Sequence, residues 1–173
     1  MLNYIVIGLL VGFANAGMYV KNCDGSQNKL IDFTKVSLTP HPIKFPGRLN
    51  IDALATVNRE IGGQIDVKVS LKRKVWFAWV PIPCIKEIGS CEYKDICSRL
   101  KQFSCPPEVV EQGIQCHCPF KKGPMSFNMD NIILPSIPTG LGLLADGRFY
   151  AKAHIMADGV EIGCIEAEVE LES

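Results

Sequence analysis

The side chains best able to do chemistry in this chain are its eight cysteines. Cys91, Cys97, Cys105, Cys116 and Cys118 crowd into residues 91–118, with Cys84 just before them, while Cys23 and Cys164 stand near the two ends. Thiols either bind metal or oxidise to disulfides, and spacing weighs between the two. Cys116-His117-Cys118 invites a zinc reading. Structural zinc sites usually separate their cysteines by about two to four residues, and no pair here does so. Neighbours on a strand also point to opposite faces, which makes Cys-His-Cys a poor chelate. An even, dense cysteine set instead predicts a disulfide framework, because cytosolic glutathione keeps thiols reduced. Spacing alone does not choose among the possible pairings.

Covalent catalysis finds little support. The chain has no Gly-x-Ser-x-Gly elbow and no zinc-protease helix motif. His41, His117 and His154 have no obvious nucleophile beside them in sequence. Gly140-x-Gly142-x-x-Ala145 matches a dinucleotide fingerprint only superficially, since two prolines precede it and Gly147 follows too soon for the required helix. No catalytic residue, metal ligand or cofactor is expected.

Non-covalent binding has better candidates. In Lys72-Arg73-Lys74-Val75-Trp76-Phe77-Ala78-Trp79-Val80, three cations precede three aromatics. Trp suits a membrane interface because its ring is apolar and its N–H polar. Each cation near an anionic surface contributes about 1 kcal/mol. The other reading is a strand with its aromatics in the core and Lys72 and Lys74 facing water. A second apolar stretch, residues 134–144, is kept irregular by Pro and Gly and offers Ile137, Leu141, Leu143 and Leu144. Exposed, such a loop is costly unless it meets lipid or a partner.

The elements that must hold these residues are strands. Leu49, Ile51, Ala53, Ala55 and Val57 alternate with polar residues, as do Ile65, Val67, Val69 and Leu71. Phe149, Ala151, Ala153 and Ile155 do the same, and Ile165, Ala167, Val169 and Leu171 alternate with Glu166, Glu168, Glu170 and Glu172. Period two gives each strand a dry face and a wet face, the pattern of antiparallel sheets. Turn signals at Pro46-Gly47, Gly62-Gly63, Asp146-Gly147 and Asp158-Gly159 separate the runs. Residues 93–100 could form a short helix that Pro106-Pro107 must end, and residues 107–112 a second, closed by Gly113. The prediction is an all-β sandwich or cup with a stapled, partly helical flap.

Tyr4 to Phe13 form a charge-free apolar run, followed by Ala14-Asn15-Ala16. The run is too short for a bilayer core, which takes roughly 20 residues, and reads as a signal peptide, residues 1–16. Residues 17–173 then form one domain. With 18 basic and 18 acidic residues the net charge is zero, so the chain has no global attraction to nucleic acid.

Four strings carry a resemblance: Ile82-Pro83-Cys84 with Ile88-Gly89-Ser90-Cys91; Cys116-His117-Cys118-Pro119-Phe120-Lys121-Lys122-Gly123; Asn22-Cys23-Asp24; and Gly163-Cys164-Ile165. The chain resembles the sphingolipid-activator branch of the lipid-recognition (ML) family, related to the Toll-like receptor co-receptor MD-two. The resemblance implies a β-cup splayed at one end into a hydrophobic cavity for acyl or ceramide chains. It implies disulfides Cys23–Cys164, Cys84–Cys91, Cys97–Cys118 and Cys105–Cys116. It further implies a non-enzymatic activator of the lysosomal or extracellular compartments. Such a protein lifts a glycosphingolipid from an anionic membrane and presents it to a β-hexosaminidase. The alternative within the family is a secreted carrier of sterols, fatty acids or phospholipids. For the cavity we nominate Ile51, Ala53, Val67, Val69, Leu71, Phe127, Met129, Phe149, Ile155 and Val169. In the family a mobile apolar loop carries a Trp matching Trp79, to which this chain adds Trp76 and Phe77. A second rim loop carries a Trp where this chain has Ile137.

Overall fold

The computed structural model describes residues 18–25, 30–102, 104–137, 142 and 146–173. The expected signal segment and three of the nominated rim residues, Leu141, Leu143 and Leu144, lie outside them. The alternating runs form strands, as period two requires. Two sheets result. The smaller has the order β2 (Ile31–Thr39), β4 (Gly47–Val57), β8 (Gly123–Leu134). The larger follows β1 (Tyr19–Asn22), β10 (Val160–Glu172), β9 (Gly147–Ala157), β5 (Ile65–Val75), β6 (Ala78–Pro81). Two short strands complete it: β3 (Ile43–Lys44) on β10, and β7 (Glu92–Tyr93) on β5. Every pairing is antiparallel except β3 with β10.

Register sets the inner faces. Val69, Ala153 and Ile165 lie side by side across the larger sheet, and Leu71, Ala151 and Ala167 form the next row. In the smaller sheet Val36, Ala53 and Phe127 share a row, as do Leu38, Ile51 and Met129. Asn131 sits at a positive φ of 59° where the β4–β8 register slips. The extra residue moves the inward set on β8 to Ile132 and Leu134.

All four disulfides are formed: Cys23–Cys164, Cys84–Cys91, Cys97–Cys118 and Cys105–Cys116. The first closes a sequence separation of 141 residues. Near it the sheets are stitched edge to edge. Asn22 Nδ2 donates to Asp32 Oδ1 (2.8 Å) and to the Phe33 carbonyl (2.9 Å), and the Leu30 N–H donates to the Ile162 carbonyl (2.8 Å). At the far end of that seam β3 pairs with β10.

The opposite edge is covered by the cysteine-rich flap. It carries α1 (Ile96–Leu100) and α2 (Pro107–Glu111). α1 begins later than the sequence pattern predicts, because Tyr93 joins β7 opposite Val67 and Asp95 caps the helix, accepting from the Ser98 N–H (3.1 Å). Gln112 uses its side-chain amide to imitate a strand, donating to the Asn128 carbonyl (2.6 Å) and accepting from the Asn128 N–H (3.0 Å). That satisfies an edge strand which would otherwise offer unpaired backbone groups.

Candidate functional site: the open end of the cup

The main buried cluster lies at one end of the strands. Val57, Ile61, Ile65, Cys97 and Ile162 form the buried cluster, with Ile31, Met125, Phe120, Ile155 and Ala157 against it. Both sheets contribute, so this end is filled. Toward the other end the same inward rows lose their burial. Of the nominated cavity residues only Phe149 is fully buried, at 2% exposure. Ile51, Ala53, Val67, Val69, Leu71, Phe127, Met129, Ile155 and Val169 are half-buried, as are Ala151, Ala153 and Ala167. In a filled sandwich the middle of each inner strand is the driest position, because the two inner faces interdigitate. Here small alanines in both sheets leave the inner surfaces only partly covered.

The flap borders this space. A pocket of ≈ 410 Å³ lies between Phe127 and Met129 of β8 and Leu100, Val109, Ile114 and Phe120 of the flap, and its surface is almost wholly apolar. A larger hollow of ≈ 580 Å³ lies at the closed end beside Arg59, Glu60, Asp158 and Glu161. Its charged lining does not suit a hydrocarbon chain.

The basic-aromatic segment divides among three positions. Val75 pairs with Ala78, so Trp76-Phe77 is the two-residue tip of the β5–β6 hairpin. The tip projects at the open end, with Trp76 87% and Phe77 96% exposed. Trp76 has φ 55°, the left-handed region that hairpin turns usually fill with Gly or Asn. Lys72, Lys74 and Trp79 instead share the outer face of the larger sheet. Lys74 Nζ lies 5.5 Å from the Trp79 ring centroid and Lys72 Nζ 6.0 Å from that of Tyr150. Trp79 and Tyr150 are 5.9 Å apart. The nominated Trp79 is therefore packed on a sheet and does not stand in the tip.

Arg73 faces inward, on the same side as Leu71 and Val69. It is flanked in register by Phe149 on β9 and Val80 on β6. Its guanidinium carbon lies 5.9 Å from the Phe149 ring centroid, and Nη2 donates to the Asp146 carbonyl (2.6 Å). Gly147 beside it has φ +124°, a backbone conformation that favours glycine; a Cβ there would meet Arg73 Nε at an ordinary 3.5 Å. Among the described residues no carboxylate pairs with it. Strict alternation from Ile65 already places Arg73 inside, so the signal was present in the sequence; grouping it with Lys72 and Lys74 by charge concealed it. Ile137 is half-buried just after β8.

The glutamate ladder on β10 is less solvated than its alternation suggests. Glu166 is 9% exposed because β1 lies beside it. It accepts from Tyr150 Oη (2.8 Å) and pairs with Lys21 (3.2 Å). Burial first, then the bond to Glu166, pushes the Tyr150 phenol up to about 12. Hydrogen bonds to Asp24 and then Glu166 raise Lys21 to about 12. Glu168 pairs with Arg148, and Glu172 with Lys44 at 3.4 Å. These pairs bind strand to strand and engage three of the four glutamates of the ladder. His154, Glu161 and Cys164 converge on the same face, but the Cys164 sulfur is bonded to Cys23 and is no metal ligand.

Two antiparallel sheets, with the main buried cluster at one end and mostly half-buried apolar inner faces toward the other, have the architecture of a lipid-binding cup. The ML-domain family model matches residues 17–171, and the chain belongs to that family. Among its relatives is the ganglioside GM2 activator of Mus musculus, 27% identical over 155 residues, covering 87% of this chain and 79% of that protein. The ganglioside GM2 activator of Macaca fascicularis is likewise 27% identical, covering 87% and 80%. A crystal structure of a Niemann-Pick type C2 protein from the Japanese carpenter ant aligns over 89% of this chain and 99% of that one, with a TM-score of 0.47 and 13% identity.

Proposed function

We propose that this ML-domain protein extracts acyl-chain lipid from membranes and carries it in the cup, presenting glycosphingolipid headgroups to a lysosomal glycosidase of the β-hexosaminidase type. The protein is an activator and performs no bond cleavage itself. The observation that carries the reading is the pairing of an exposed Trp76-Phe77 tip with a part-exposed apolar interior at the same end of the molecule. Two large aromatics in water are unfavourable unless they enter a bilayer, where their transfer is worth roughly 1.5–3 kcal/mol each. Lys72 and Lys74, on the neighbouring outer face, add attraction to anionic lipid. Eight bonded cysteines support a location in the secretory pathway, in lysosomes or outside the cell.

The test is stimulation of β-hexosaminidase on glycolipid held in anionic vesicles at acidic pH. Stimulation that saturates with added protein supports the activator. A second reading is favoured by Ile137, which stands where the family's second rim loop has a Trp: a secreted carrier of sterols, fatty acids or phospholipids. Robust lipid transfer between vesicles without hexosaminidase stimulation selects the carrier. Neither activity rules out both.

A further inference from the structure

Arg73 stands in the inward row of β5 after Ile65, Val67, Val69 and Leu71. Register puts Phe149 on one side of it and Val80 on the other. Among the described inward strand positions, it is the one charged side chain. It is half-buried with its guanidinium carbon 5.9 Å from the centroid of a fully buried ring, and among the described residues its single hydrogen bond goes to a backbone carbonyl. A guanidinium has five N–H donors. A charge taken partly out of water without a counterion is costly, and the other cations of the strand avoid that cost by facing outward.

The position is also particular. Arg73 lies one inward row short of the ends of β5 and β9, between the half-buried apolar rows and the connection through Asp146 and Gly147. A lipid seated with its tail among Leu71, Ala151 and Phe127 would bring the first atoms of its headgroup to this guanidinium. Planar, forked donors match a carboxylate or a phosphate two bonds at a time, which an ammonium does not.

We propose that Arg73 is a headgroup-binding residue, which gives the cup a preference for lipids carrying an oxyanion, carboxylate or phosphate, at the junction of chain and head. This rests on the lipid-cup reading above and goes beyond it. A neutral head leaves the guanidinium uncompensated; an anionic head pairs with it in a low-dielectric setting.

The experiment uses the oxidised, delipidated protein and three ligands with one oleoyl chain: oleate, oleoyl lysophosphatidate and mono-oleoylglycerol. Each displaces an environment-sensitive fluorophore at neutral pH. At least one anion should bind about tenfold tighter than the neutral glyceride, one charge-assisted pair's worth. A carboxylate preference points to free fatty acid as the source, a phosphate preference to phospholipid. Arg73→Met should bring the ratio to about one, with glyceride affinity within about twofold of wild type, and Arg73→Lys should restore part of it. Lys121→Gln with Lys122→Gln, exposed just before β8 at the closed end, should leave the ratio intact. Should Arg73→Met fold poorly, Arg73→Gln serves instead, with the ratio again expected to fall to about one. Equal binding of all three ligands overturns the Arg73 proposal alone, as does a preference that survives in a folded Arg73→Met protein. Uptake of none overturns the lipid-cup reading with it.

Discussion

Trp76 holds a left-handed backbone conformation at φ 55° and exposes 87% of its surface. Both features disfavour tryptophan at that site. A bulky L-residue in the left-handed region costs about 1–2 kcal/mol, and its exposed ring gains nothing in water. The residue is therefore suited to the tip by what it touches outside the protein. Trp76→Gly should leave the melting midpoint unchanged or raise it by a few degrees, consistent with relief of about 1 kcal/mol. The same change should weaken binding to anionic vesicles about tenfold, measured by sedimentation. Equal vesicle binding would mean that the tip does not enter the bilayer. Composition announced a basic-aromatic segment but not its division. Alternation sends Lys72 and Lys74 outward and Arg73 inward, while the hairpin tip removes Trp76 and Phe77 from both faces.

At the scale of elements, one acid from a distant strand helps to dock the flap. Asp66 on β5 accepts from the Asp95 backbone N–H (2.9 Å) and from Lys94 Nζ (3.3 Å). The Asp95 N–H, then Gln64 and Lys94, hold the Asp66 carboxyl below its ordinary 3.8. Asp95, capping α1, is lowered by its bonds to Ser98. A carboxyl whose folded pKa is depressed stabilises the fold fully above its unfolded pKa and loses that contribution as pH falls through the folded value. The flap should therefore stay docked at about pH 5, the acidity of the proposed compartment, and loosen only below about 4. Hydrogen exchange over residues 94–102 should be flat from neutral pH to 5 once corrected for intrinsic rates. Asp66→Asn should raise it at both. Loss of protection between pH 6 and 5 in the wild type would contradict this. In the sequence Asp66 is merely the polar half of an alternating strand; its partner stands 29 positions away, a pairing only tertiary contact creates. Prolines and glycines did mark the flap: Gly113 at φ 70° follows α2, as its place after Gln112 suggests.

For the whole molecule, the interior should behave as space and not as core. Ala53 lies between Val36 and Phe127 in an inward row and is half-buried. Ala53→Phe should cut lipid uptake at least about threefold while the midpoint moves by only a few degrees, since a filled core would lose about 1–3 kcal/mol to overpacking. A collapse in stability with that substitution would identify the region as packed core. Several properties were settled by residues close in sequence. Period two dictated strands, turn pairs dictated hairpins such as the Asp158-Gly159 turn, with both residues at positive φ, and cysteine density dictated a disulfide framework. Those signals are local, because backbone sterics and side-chain alternation act within a few residues. The hollowness of one end was decided by tertiary structure. A filled sandwich and an open cup carry the same alternation; they differ in the distance between sheets. The sheets are tied by the Asn22 and Leu30 hydrogen bonds on one edge and by the flap on the other, and the alanines' small size matters only once opposite strands face each other.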